Sequence, residues 1–98
     1  MKLRKATLID YGVPLDDIPT LQSHFRNLSE SDKYNLLQES INYAPGIESQ
    51  IYDSIVNGIG YRTMEKIRTV PATENDFYGY KRKVMAEYYH LAKLIGRL

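Results

Sequence analysis

From Thr73 to the end of the chain no proline interrupts the sequence, and Phe77, Tyr80, Val84, Tyr88, Leu91 and Ile95 recur at steps of three and four residues. That period matches an α-helix, so the six side chains predict one long terminal helix with its apolar stripe facing the core. Thr73 stands where an N-cap is needed. Glu74 and Asp76 fall in the first turn, where the helix dipole favours anions. The opposite face carries Lys83, His90, Lys93 and Arg97, and the last two suit the negative C-terminal end. A helix this long crosses most of a small domain, so every other element has to be arranged around it.

Those other elements are short. Proline and glycine divide the preceding residues into brief segments, and strand-like alternation is nearly absent. Residues 2–11 form a candidate first helix with Leu3, Ala6, Leu8 and Ile9 apolar, ended by Gly12-Val13-Pro14. Asp16 or Asp17 caps the next, with Pro19 in its first turn and Ile18, Leu21, Phe25 and Leu28 on one face. Ser29 or Ser31 caps a third, whose stripe is read as Tyr34, Leu37 and Ile41, with Tyr43 at its end, before Ala44-Pro45-Gly46 stops it. A fourth runs from about Ile47 to Val56 and breaks at Asn57-Gly58-Ile59-Gly60. A short fifth spans about Tyr61 to Arg68, with Met64 and Ile67 inward, and Pro71 closes the turn after it. The fold class is therefore all-α: about five short helices, with a C-terminal helix-turn-helix-like unit and a long terminal helix, in one domain over residues 1–98.

Composition removes several classes of function. Without cysteine the chain has no disulfide and no thiolate metal site. Its two histidines, His24 and His90, stand far apart in sequence without a ligand cluster, so no metal or other cofactor is expected. Asp16-Asp17 and Glu30-Asp32 read as helix caps, because no third carboxylate stands at calcium-loop spacing. Tyr88-Tyr89-His90 lacks a positioned nucleophile or acid nearby in sequence, and Gly58-x-Gly60 lacks the strand and lysine of a phosphate loop, so no catalytic residues are assigned. No apolar run reaches the roughly 20 residues that span a bilayer. The N-terminus lacks a signal-peptide core, which makes a cytoplasmic protein without a membrane partner the expectation.

Charge and tyrosine give the positive indications. The formal net charge of +1 conceals five bases and seven acids in residues 1–50, and eight bases and five acids in residues 51–98. Nine tyrosines, two phenylalanines and no tryptophan suit half-buried positions, interfaces and phosphate contacts. A basic half with Lys81-Arg82-Lys83 in succession fits a nucleic-acid footprint.

Two placements of a helix-turn-helix follow. One makes Gly58-Ile59 the turn, with Tyr61, Arg62, Glu65, Lys66 and Arg68 on the exposed face of the reading helix. The other takes Arg62 to Arg68 as the support, Val70 as the turn plug and Thr73 onward as the reader, with Phe77 as inward anchor. The second is preferred because its reader is longer and more basic. It also carries Asn75 near its N-terminus, where asparagine can pair with adenine. The candidate DNA contacts are Arg62, Lys66, Asn75, Tyr78, Lys81, Arg82 and Lys83. Tyr80 is the tyrosine of the pair assigned to the core.

The segments IYDSIVNGIGYRTMEKI, VPAT and DFYGYKRKVMAEYYHL together resemble the C-terminal end of phage late-gene regulators of the ArpU and RinA type. Those regulators in turn resemble the DNA-binding region 4 of sigma factors. The closest part is Phe77-Tyr78-x-Tyr80-Lys81-Arg82-Lys83 followed by Met85-Ala86. The resemblance covers residues in the C-terminal half alone, and Pro71-Ala72 stands where a Gly-apolar-Ser phrase is typical. It implies binding to double-stranded DNA at a phage or prophage promoter, with Lys81, Arg82 and Lys83 on phosphates and Asn75 and Tyr78 near bases. The acidic first half would then serve a homodimer or contact a second protein. The alternative is a small phage-encoded inhibitor or adaptor that docks on a host protein and makes no DNA contact, a role to which a tyrosine-rich surface is suited.

Overall fold

A computed structural model describes residues 7–98. After a single 3-10 turn at Leu15–Asp17 come five helices: α1 (Ile18–Phe25), α2 (Glu30–Tyr43), α3 (Glu48–Asn57), α4 (Tyr61–Ile67) and α5 (Glu74–Leu94). No strand occurs among the described residues, in agreement with the all-α expectation. α5 is the spine, against which α2, α3 and α4 all pack, while α2 and α3 also pack on each other. Phe77, Val84 and Tyr88 bring the α5 stripe into contact with a core that includes Leu21, Leu36, Ile51 and Met64.

Local chemistry explains the element ends. The Ser29 hydroxyl accepts the Asp32 N–H at 3.1 Å, and the Asp32 carboxylate accepts the Ser29 N–H at 3.1 Å, which completes a capping box. Thr73 accepts the Asp76 N–H at 3.2 Å at the start of α5. α3 ends at Gly58, whose φ of 67° is the left-handed conformation that glycine adopts without a Cβ penalty. Between α4 and α5, the Glu65 carboxylate accepts the Val70 N–H at 2.6 Å and the Tyr61 hydroxyl donates to the Ala72 carbonyl at 2.9 Å. These two bonds hold the turn that buries Val70 as a plug.

Several expected positions differ. The first half of the helix anticipated over residues 2–11 lies outside the described residues, and residues 8–12 are turns, closed by Val13 N–H to the Leu8 carbonyl at 3.0 Å. Asp17 precedes α1 but makes no cap; its carboxylate accepts the Tyr89 hydroxyl instead. α2 is rotated relative to its anticipated stripe. Its inward residues are Asp32, Leu36 and Ser40, while Tyr34 is 64% and Ile41 43% exposed. Ile67 and Ile95 also lie at the surface, and Tyr80 and Leu91 are half-buried. α4 has seven residues and buries a single side chain, Met64, so Ile67 has no surface to pack on.

Candidate functional site

The residues expected to meet DNA occupy two different environments. Arg62 and Lys66 on α4 and Asn75 on α5 are exposed. Asn75 stands between Glu74 and Asp76, and Arg62 Nε lies 3.8 Å from Glu74 Oε1, so acid surrounds the start of α5. Tyr78, Lys81, Arg82 and Lys83 are all half-buried, although the sequence reading sets the three bases out to meet phosphates.

Each of those four has work inside the fold. The Tyr78 hydroxyl accepts the Tyr61 N–H at 2.9 Å and so satisfies one of the unpaired donors at the start of α4. A Cβ added at Gly60 would come within 3.2 Å of that hydroxyl, which accounts for glycine there. Lys83 Nζ donates to Glu87 at 3.0 Å and sits 4.8 and 5.3 Å from the ring centroids of Tyr11 and Tyr43. Both rings are within cation–π range. Arg82 has a partner as well; burial raises the Tyr11 phenol above its ordinary value, and the nearby Lys83 and Arg82 charges only partly oppose that. Lys81 Nζ is 5.9 Å from the Tyr78 ring centroid, and burial pulls its pKa below the ordinary lysine value.

The segment around Tyr11 is what covers this part of α5. His90 Nε2 hydrogen-bonds the Tyr11 carbonyl at 2.8 Å, and Val13 is buried in the core. Gly12 adopts φ +92°, and a Cβ there would meet the His90 ring at 3.2 Å. The N-terminal turn is therefore seated on the helix through Lys83 and His90, two residues that the sequence assigns to an outward face.

A second group went unread in the sequence. Asp32, fully buried, receives Arg97 Nε on one oxygen at 2.8 Å and Arg97 Nη2 on the other at 2.9 Å, in addition to the Ser29 N–H. His24 Nε2 lies 2.6 Å from the Tyr88 hydroxyl and 3.9 Å from Asp32 Oδ2. The Arg97 hydrogen bonds hold the Asp32 carboxyl well below the usual carboxylate range. Burial, reinforced by the nearby Asp32 charge, pushes the Tyr88 phenol up to about 12. Both Asp32 oxygens are occupied, and no buried side-chain nitrogen or oxygen among the described residues lacks a partner. The chemistry of the group is that of a lock between α1, α2 and the C-terminal end of α5.

Two of the open surfaces among the described residues differ in character. Tyr34, Leu37 and Ile41 form an uncharged strip along the outer side of α2, with Tyr34 and Ile41 exposed and Leu37 half-buried. Between α1, α3 and α5 lies a cleft of about 490 Å³ that contains Lys81 and Arg26. Among the described residues, no cluster of His, Asp or Glu could hold a metal ion. No helix there is long and apolar enough to cross a membrane. Comparison with known proteins returned no protein family, no curated protein and no solved structure that matches this chain.

Proposed function

We propose that the chain is a small protein-binding module that docks through α2 and makes no contact with duplex DNA. The observation that carries this reading is the outward strip Tyr34, Leu37 and Ile41. The first two turns of α2 bury Asp32 and Leu36, and its third buries Ser40, so the helix holds its place in the core while a second, apolar side faces water. Interface centres are poor in charge and rich in tyrosine, which is the character of this strip. Helix-in-groove recognition reads anchors at such spacings.

The covering of α5 supports the same reading. A polyanion needs cations free to replace its counterions. Lys83 is already held by Glu87 and two tyrosine rings, Arg82 has a partner, and the Tyr78 hydroxyl is occupied. A second reading, DNA contact of the kind implied by the late-regulator resemblance, rests on the exposed Arg62, Lys66 and Asn75. Glu74 and Asp76 beside Asn75 repel phosphate and weigh against it.

The test is affinity capture with the parent protein and two surface variants. Ile41→Glu places a charge in the α2 strip, and Arg62→Ala with Lys66→Ala removes the exposed α4 bases. A partner bound stoichiometrically by the parent, lost with Ile41→Glu and kept with the α4 double variant, is the expected result. A partner retained undiminished by Ile41→Glu would refute docking through α2.

A further inference from the structure

We infer that the cleft between α1, α3 and α5 is a binding site for a small organic anion, a carboxylate or phosphate on an apolar body. The inference is independent of the α2 reading, because it concerns a different group of side chains. The cleft of about 490 Å³ is within the range of small-molecule sites. Phe25, Ile55 and Met85 give it an apolar wall, Gln22 a neutral polar group, and Lys81 and Arg26 two positive charges. No carboxylate lines it, although the chain has 12 acidic residues.

The state of the two cations is what points to a ligand. The two bases that follow Lys81 on α5 have partners: Arg82 is engaged and Lys83 bonds Glu87. Lys81 and Arg26 have no carboxylate within 4.0 Å among the described residues, and residues 1–6 contain no acid. A half-buried ammonium without a counter-charge is costly, and an anion entering the cleft would relieve that cost. Arg26 follows the end of α1 and Gly58 that of α3, so two helix ends of partial negative charge border the cleft, and the attraction for an anion has to come from Lys81 and Arg26 themselves. Neither cation donates a side-chain hydrogen bond to those carbonyls, so their donors remain available. The apolar wall fixes the rest of the ligand. A bare inorganic anion would leave Phe25, Ile55 and Met85 uncovered, whereas an aromatic or branched acid would bury them.

Amide chemical-shift titration of the intact protein tests this with four probes: benzoate, phenyl phosphate, benzyl alcohol and inorganic phosphate. Saturable shifts centred on Ser54 to Gly58 and Lys81 are expected with at least one aromatic anion. Benzyl alcohol and inorganic phosphate should each bind at least about tenfold more weakly, since one lacks the charge and the other the apolar body. The better aromatic anion identifies the headgroup as carboxylate or phosphate. Lys81→Met keeps the aliphatic stem and should weaken binding about tenfold or more, as should Arg26→Gln at an exposed position that leaves the fold intact. The inference is overturned by an absence of saturable shifts with both aromatic anions, or by equal affinity for benzyl alcohol. It is equally overturned by inorganic phosphate binding as tightly as phenyl phosphate, or by unchanged affinity in Arg26→Gln.

Discussion

Replacing Asp32 with alanine perturbs the most heavily used side chain in the molecule. Three things are lost together. The capping box at the start of α2 loses its reciprocal bond from Ser29, worth about 1 kcal/mol. The paired contacts from Arg97 at 2.8 and 2.9 Å are charge-assisted and worth about 1.5–3 kcal/mol each when dry. Arg97 is 48% exposed, so water replaces part of what it loses and the sum of those contacts falls to about 2 kcal/mol. The total destabilisation is then about 3 kcal/mol, a large share of the roughly 5–15 kcal/mol of a domain this size. At about 4–8 °C per kcal/mol, the melting temperature should fall by roughly 12–24 °C. Urea denaturation followed by far-UV circular dichroism near neutral pH measures the change, with Asp32→Asn as the milder companion that keeps the cap geometry. The Asp32 carboxyl titrates below its unfolded value, so its contribution is present above about pH 4 and is lost as pH falls toward the folded pKa. The difference between parent and Asp32→Ala should therefore shrink in acid. A loss below about 0.5 kcal/mol, the size of an ordinary surface substitution, would refute the lock.

Other outcomes follow from the same geometry. Tyr88 is held protonated up to about pH 12, so its stabilising contribution is complete below its unfolded pKa of about 10 and is lost as pH rises toward 12; several tyrosines are raised, and ultraviolet titration should show the step near pH 12 disappear in Tyr88→Phe. Gly58→Ala forces a side chain into a φ of 67° and should cost about 1 kcal/mol by urea denaturation, even though the space around it is open. Phe77→Ala empties a fully buried position on α5 and should cost about 3–5 kcal/mol in the same assay.

Sequence and structure agree where chemistry is local. Thr73 caps α5, Ser29 caps α2, and α3 and α4 begin and end within a residue or so of their expected bounds, because capping residues, Gly58 and Pro71 act on their neighbours. α2 shows why the rest was illegible. Apolar spacing selects Tyr34, Leu37 and Ile41 as the inward face, yet the true inward face includes Asp32 and Ser40. Asp32 is tolerated there because Arg97 reaches it from 65 residues away, and no local pattern announces that pairing. The same distance problem affects α5. Lys83 looks like part of an outward polar face until Tyr11 folds over it, while His90, 79 residues after Tyr11, stays exposed as expected and bonds the Tyr11 carbonyl. The cleft has the same character, since Arg26, Ile55 and Lys81 come from three separate helices. Of the expected contacts, Arg62, Lys66 and Asn75 are exposed, while Tyr78, Lys81, Arg82 and Lys83 are half-buried.

The decisive measurement is a fluorescence-anisotropy titration of a random-sequence DNA duplex with the intact protein at low salt. With Lys83 held by Glu87, Tyr11 and Tyr43 and Arg82 engaged within the fold, anisotropy should stay flat up to protein concentrations of about 100 μM, the tight end of ordinary non-specific binding being about 1 μM. Saturable binding that weakens with added salt, and that disappears when Lys81, Arg82 and Lys83 are all changed to alanine, would contradict this account and restore α5 as a DNA-reading helix.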